Sequence, residues 1–156
     1  MLKRWLAVSA LVIVSDQLSK LWITSHFVFG ERLAILSVFD LILVYNTGAA
    51  FSFLHDAGGM QRWLFSFVAV AASVWMGWLL RRHAAETLFA LAISLILGGA
   101  LGNLIDRLAY GHVVDFLLFH WNEHYFPAFN IADSAITAGA ALLILDSLRT
   151  ARRHSG

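Results

Sequence analysis

Four apolar stretches divide the chain, over residues 5–24, 63–80, 88–105 and 131–148. Each approaches the roughly 20 residues that an α-helix needs to cross the hydrocarbon core of a bilayer. Between the first two the pattern changes. Residues 37–45, Ser-Val-Phe-Asp-Leu-Ile-Leu-Val-Tyr, are rich in β-branched and aromatic side chains, and Asn46-Thr47-Gly48 supplies a turn after them. That run is too short for a membrane span and predicts a strand in a loop over about 26–60, part of a small sheet on the membrane surface. No linker or internal repeat interrupts the chain, and its single proline, Pro127, falls in the loop before the fourth span. The expected fold is therefore an integral membrane all-α protein, one domain over residues 1–156. It has a four-helix bundle and a small β-subdomain in the first outer loop.

Composition agrees with a lipid solvent. Hydrophobic residues make up 60% of the 156 and charged residues 13%, with a mean hydropathy of +0.73; a soluble domain is about half apolar and a quarter charged. The net charge of +1 leaves no basic surplus for a nucleic-acid partner. The absence of cysteine excludes disulfides, thiolate catalysis and Cys-ligated metals, and gives the chain no lipidation cysteine of its own. Lys3, Arg4, Arg81, Arg82, Arg149, Arg152 and Arg153 flank the spans on one side, against Arg32, Arg62 and Arg107 on the other. By the positive-inside rule both termini are cytoplasmic. The first span opens like a secretory signal, with Lys3-Arg4 before an apolar run. No small-x-small cleavage site follows, so it is expected to be a retained helix.

Carboxylates beside such spans are costly, and those that occur there usually have a function. Asp115, in Val-Val-Asp-Phe, and Asp133, in Phe-Asn-Ile-Ala-Asp-Ser, stand 18 residues apart around a loop at 117–129. Two carboxylates that meet and share one proton can hydrolyse an amide, the ionised one taking a proton from water and the protonated one polarising the carbonyl. The alternative is a pair of helix-end carboxylates, Asp133 being placed where a helix dipole favours it. Asp16 and Lys20, at i and i+4 on the first span, form either a mutually neutralising pair or the base of a Ser–Lys hydrolase with a nucleophile such as Ser52. Asp16 argues against the second, because a neighbouring carboxylate holds the lysine protonated. Asn103 and Arg107, again i and i+4, close the third span. Arg107 either reaches lipid headgroups or holds a carbonyl or carboxylate in the site. His120-Trp121-Asn122-Glu123-His124 matches the inverted-zincin pattern, which needs a helix and a further ligand, yet it lies in a short aromatic loop, so no metal is expected.

Taken in order, Asp16-Gln-Leu-Ser-Lys20, Asn46-Thr-Gly-Ala-Ala-Phe-Ser52, Gly98-Gly-Ala-Leu-Gly-Asn-Leu-Ile-Asp-Arg107, Val113-Val-Asp-Phe116 and Phe129-Asn-Ile-Ala-Asp-Ser134 resemble the motifs of the bacterial lipoprotein signal peptidases, signal peptidase II. The Gly-x-Gly-Asp signature of presenilin-like proteases is absent. The resemblance implies four transmembrane helices with a small periplasmic β-subdomain, and a catalytic dyad at Asp115 and Asp133. It implies cleavage before the diacylglyceryl-modified cysteine of a prolipoprotein at the outer face of the bacterial inner membrane. Asn46, Asn103, Arg107 and Asn130 would support substrate and dyad, and Asp16 and Lys20 would be supporting structure. The implied partners are the lipid-modified prolipoprotein and membrane lipid, with a monomeric enzyme, no nucleic acid and no cofactor. Phe51, Phe53, Trp121 and Tyr125 are candidates to close over bound peptide. The competing class is a non-enzymatic carrier or assembly factor with an acidic proton relay, which should show internal repeats or broken helices.

Overall fold

A backbone in lipid has no water to bond, and a helix pairs all but its terminal groups internally, so the apolar stretches have one solution. The computed structural model describes residues 1–48 and 60–154. It forms helices α1 (Leu2–His26), α2 (Met60–Arg82), α3 (Thr87–Tyr110) and α4 (Ile131–His154). All four are long and apolar enough to cross a membrane, and the chain is a multi-pass membrane protein. Each helix runs past its apolar core because hydropathy marks the lipid thickness, whereas the hydrogen-bond ladder continues through flanking polar helix formers such as Arg81 and Arg82. α3 consequently extends to Tyr110, and Asn103 and Arg107 lie within it rather than at its end.

α3 is the central helix, the most buried of the four, with α1, α2 and α4 packed around it. Close approach needs a small residue where Asp16 of α1 and Ala132 of α4 converge. A Cβ on Gly102 would sit 2.8 Å from Asp16 Oδ2. Trp5, Met76, Leu80, Ala90, Ile93 and Leu97 form the core at one end of the bundle, where Trp5 Nε1 donates to Ala84 O at 2.8 Å and ties α1 to the α2–α3 turn. The outward faces carry Leu11, Phe67, Val74 and Trp75, exposed as lipid-facing side chains are.

At the other end lies one antiparallel sheet in the order β1 (Arg32–Leu36), β2 (Phe39–Asn46), β3 (Val113–Trp121), β4 (His124–Tyr125). Ile23, Leu43, Val114 and Phe116 bind it to α1. Here the sheet departs from expectation. The first inter-helix loop supplies only half of it, and Val113–Trp121 and His124–Tyr125, whose residues from 117 onward were expected as loop, form the rest. The run Val113–Phe119 carries a strand composition, but its proximity to a span end and to the aromatic cluster masked it. β1 was also not anticipated, since a five-residue edge strand with every residue exposed shows no alternation of apolar and polar side chains. Gly111 makes the α3–β3 junction. It takes φ +81° as the left-handed cap of α3 and donates its N–H to Arg107 O at 3.1 Å, so the strand starts two residues later.

Candidate active site

The chain brings Asp115 and Asp133 together through one pairing. Phe129 exchanges backbone bonds with Leu117, at 2.8 and 3.0 Å, which lays the returning chain against β3. The next residue, Asn130, is then fully buried beside Asp115. Its Nδ2 donates to Asp115 Oδ1 at 2.7 Å, and also reaches Val114 O and Asn103 Oδ1 at 3.2 Å. Its Oδ1 accepts the Asp133 N–H at 2.9 Å, capping α4. Asp133 therefore sits in the first turn of α4, where the positive end of the helix dipole favours a carboxylate.

Asparagines hold both carboxylates. Asn46, at the end of β2, donates to Asp115 Oδ2 at 3.0 Å, and its own Oδ1 accepts the Gly48 N–H at 2.8 Å. Asn103 donates to Asp133 Oδ1 at 2.8 Å. The two aspartates differ in setting. Asp115 is buried and Asp133 half-buried. Burial pushes the Asp115 carboxyl up to about 6; the Asn46 and Asn130 donors pull the other way, and the charge of Asp133 adds to the rise. Arg107 lies within the field of Asp133, Asp106 and Asp115; its guanidinium packs over the Phe65 ring at 5.5 Å.

Asp16 and Lys20 do pair, at 2.7 Å, but not alone. Lys20 Nζ also contacts Asp106 Oδ2 at 2.9 Å and Asn103 Oδ1 at 3.0 Å, so its three protons all have acceptors. Lys20 is thus placed as a donor to Asp16, Asp106 and Asn103, the paired arrangement rather than that of a base beside a nucleophile. Ser52, its proposed partner, lies outside the described residues, as do Phe51 and Phe53. Asp106 and Gln17 complete this cluster, and neither was singled out in the sequence. The available signal was a further carboxylate on an apolar span, three residues from Asn103.

His120 and His124 lie on the β3–β4 hairpin, with Trp121 paired to His124, so the helical face that the zincin pattern requires is missing. His120 Nε2 instead faces Asp40 Oδ2 at 3.2 Å, beside an ion pair between Arg32 and Asp40. Tyr125 accepts from Arg32 Nη1 at 3.1 Å. Trp121 is six residues along β3 from Asp115, about 20 Å at strand rise. Trp121 and Tyr125 thus belong to the far edge of the sheet, not to a cover over the aspartates.

Four membrane-length helices with a buried and a half-buried aspartate held on asparagine donors fit a membrane enzyme of the aspartic peptidase class. Residues 8–149 match the family described as Signal peptidase (SPase) II. The chain is 57% identical over 148 residues to the lipoprotein signal peptidase of Burkholderia vietnamiensis, covering 95% of this chain and 89% of that one. It is 55% identical over 150 residues to that of Cupriavidus necator, covering 96% and 86%. A solved bacterial membrane enzyme, determined in meso at 1.9 Å, superposes with a TM-score of 0.85 at 29% identity, over 94% of this chain and 93% of that one. The chain belongs to the signal peptidase II family.

Proposed function

We propose that this enzyme removes the signal peptide of diacylglyceryl-modified prolipoproteins by hydrolysing the amide bond before the lipidated cysteine, with Asp115 and Asp133 as the catalytic dyad. The observation that carries the assignment is Asn130, which donates to one aspartate while capping the helix that bears the other. Asp115, whose burial favours the neutral form, holds the shared proton and donates to the scissile carbonyl oxygen. Asp133, held by the Asn103 donor in the first turn of α4, takes a proton from water as the water oxygen attacks the carbonyl carbon. The resulting tetrahedral centre collapses with loss of the C–N bond: Asp133 gives its proton to the departing amine, and Asp115 takes back the hydroxyl proton as the C=O bond re-forms. Arg107 and Asn46 hold substrate carbonyls beside the dyad.

The sheet end of the bundle is the periplasmic side of the bacterial inner membrane in this reading. Four spans return both termini to one side, and the basic residues Lys3, Arg4, Arg81, Arg82 and Arg149 at that side support a cytoplasmic placement. The diacylglyceryl chains stay in the bilayer while the peptide bond meets water at the boundary. The protein acts as a monomer and as one domain over residues 1–156. A carrier or assembly factor fits less well, because the four described helices are continuous and the relatives bear the name of a peptidase.

The test is cleavage of a lipidated prolipoprotein by the purified protein in detergent. Asp115→Asn and Asp133→Asn should each lose about 10²-fold or more while remaining folded. Retention of more than about a tenth of wild-type activity by either would overturn the dyad.

A further inference from the structure

Asp106 does more than balance a charge. It is 1% exposed, on the face of α3 that meets α1. Its Oδ2 accepts from Lys20 Nζ at 2.9 Å and from the backbone N–H of Val114 at 3.1 Å, and its Oδ1 accepts from Gln17 Nε2 at 2.9 Å. Val114 immediately precedes Asp115. Lys20 passes the same anchorage to Asn103 Oδ1, and Asn103 Nδ2 ends on Asp133 Oδ1. One carboxylate therefore reaches Asp115 at one remove, through the backbone of Val114, and Asp133 at two, through Lys20 and Asn103.

Strand geometry shows why a tether is needed. Successive residues face opposite sides of a sheet, so Val114 and its cross-strand partner Tyr45 point away from Asp115 and Asn46. On their side a cavity of about 280 Å³ is lined by Gln17, Lys20, Tyr45, Asp106, His112 and Val114. The cavity borders the start of β3, and the Asp106–Val114 bond ties that end of the strand to α3. A carboxylate suits the position because it accepts a backbone N–H, an ammonium and an amide N–H together without supplying a competing donor.

We infer that Asp106 is a positioning residue of the dyad, fixing Asp115 through Val114 and Asp133 through Lys20 and Asn103. The inference rests on the dyad proposed above. Misplacement by about 1 Å from a remote change can cost on the order of 10²-fold. Loosening the Asn103 donor also removes a hydrogen bond to the carboxylate that takes the proton from water in this reading, so turnover and its pH dependence should change together.

The experiment uses the full chain in detergent with a lipidated prolipoprotein, and measures kcat, KM and the pH profile. Asp106→Asn should lower kcat by about 10–100-fold, with KM within about twofold. The acid limb of its kcat/KM profile should move. Asp106→Glu keeps the charge beside Lys20 and should change kcat and limb in the same direction by less, and it decides the matter if Asp106→Asn does not fold. Ser9→Ala removes a different α1–α3 bond, Ser9 Oγ to Ser94 O at 2.8 Å, and should lower Tm without moving the limb. A folded Asp106 variant with wild-type kcat and an unmoved limb would overturn the inference, as would a loss no larger than the loss of folded protein. Asp115→Asn is run alongside. If it stays active the dyad itself is wrong; if it is dead while the Asp106 variants are normal, only the positioning role fails.

Discussion

Asn130 donates to Asp115 Oδ1 at 2.7 Å from the residue that caps α4, so the strand-borne aspartate and the helix-borne one are registered by a single side chain. This explains how two carboxylates on different elements, separated by a hairpin, hold a fixed relation. It also makes the local protonation balance depend on neighbours that can be changed one at a time.

The first prediction follows from the raised titration point of Asp115. A carboxyl that titrates near 6 in the fold and at 3.8 as a free side chain binds its proton more tightly when folded. Its contribution to stability is therefore full below the free value, declines as pH rises through that window, and is flat above about 6. Wild-type Tm in detergent should fall between pH 4 and pH 7 by more than the Tm of Asp115→Asn does. In activity, Asn46→Ala removes a donor to the carboxylate and should shift the Asp115-linked limb of kcat/KM to higher pH. A downward shift would contradict that assignment.

The Lys20 cluster predicts an asymmetry between its members. Lys20 is the shared partner of two buried carboxylates, Asp16 and Asp106. Lys20→Met leaves both carboxylates without a cation and should cost about 3–5 kcal/mol. Asp16→Asn leaves a neutral Lys20–Asp106 pair and should cost markedly less. Asp16→Leu with Lys20→Leu should recover only part of the loss, because Asp106 keeps Gln17 and Val114 as donors but has no cation. Thermal unfolding of the variants in one detergent ranks them.

Two helix glycines should respond in opposite ways to alanine. At Gly102 a new methyl meets Asp16 Oδ2 at 2.8 Å and Ala132 Cβ at 3.4 Å, and the three-helix contact must open. At Gly77 it meets nothing within 4 Å. Gly77→Ala should gain up to about 1 kcal/mol from helix propensity, whereas Gly102→Ala should lower Tm and activity together. Equal Tm values for the two variants would show that α1, α3 and α4 do not pack as described.

Lipid on the substrate should matter through partition and depth. Each buried CH₂ contributes about 0.8 kcal/mol to membrane residence. The chains also hold the scissile bond at the level of Asp115 and Asp133. A prolipoprotein lacking the diacylglyceryl group should show a kcat/KM lower by about tenfold or more in the same micelles. Equal values would mean that the enzyme reads peptide alone.

Hydropathy alone determined the four helices, because in a bilayer a stretch of about 20 apolar residues has few alternatives to spanning it. Candidate residues were legible on the same ground. Asp16, Lys20, Asn103, Asp115 and Asp133 are polar groups where burial is costly, so their presence in apolar surroundings was itself the signal. The tertiary structure decided what these residues do to one another. No periodicity announces that Phe129 pairs with Leu117, yet that pairing alone puts Asn130 between the aspartates. The strand over residues 113–121 was hidden because its partner, Phe39–Asn46, lies some seventy residues earlier in the chain, and strand pairing depends on non-local contacts that local composition does not encode. Asp106 went unnoticed for a related reason. Its role comes from one carboxylate meeting α1, α3 and β3 at once, and that convergence exists only where Gly102 lets the helices close.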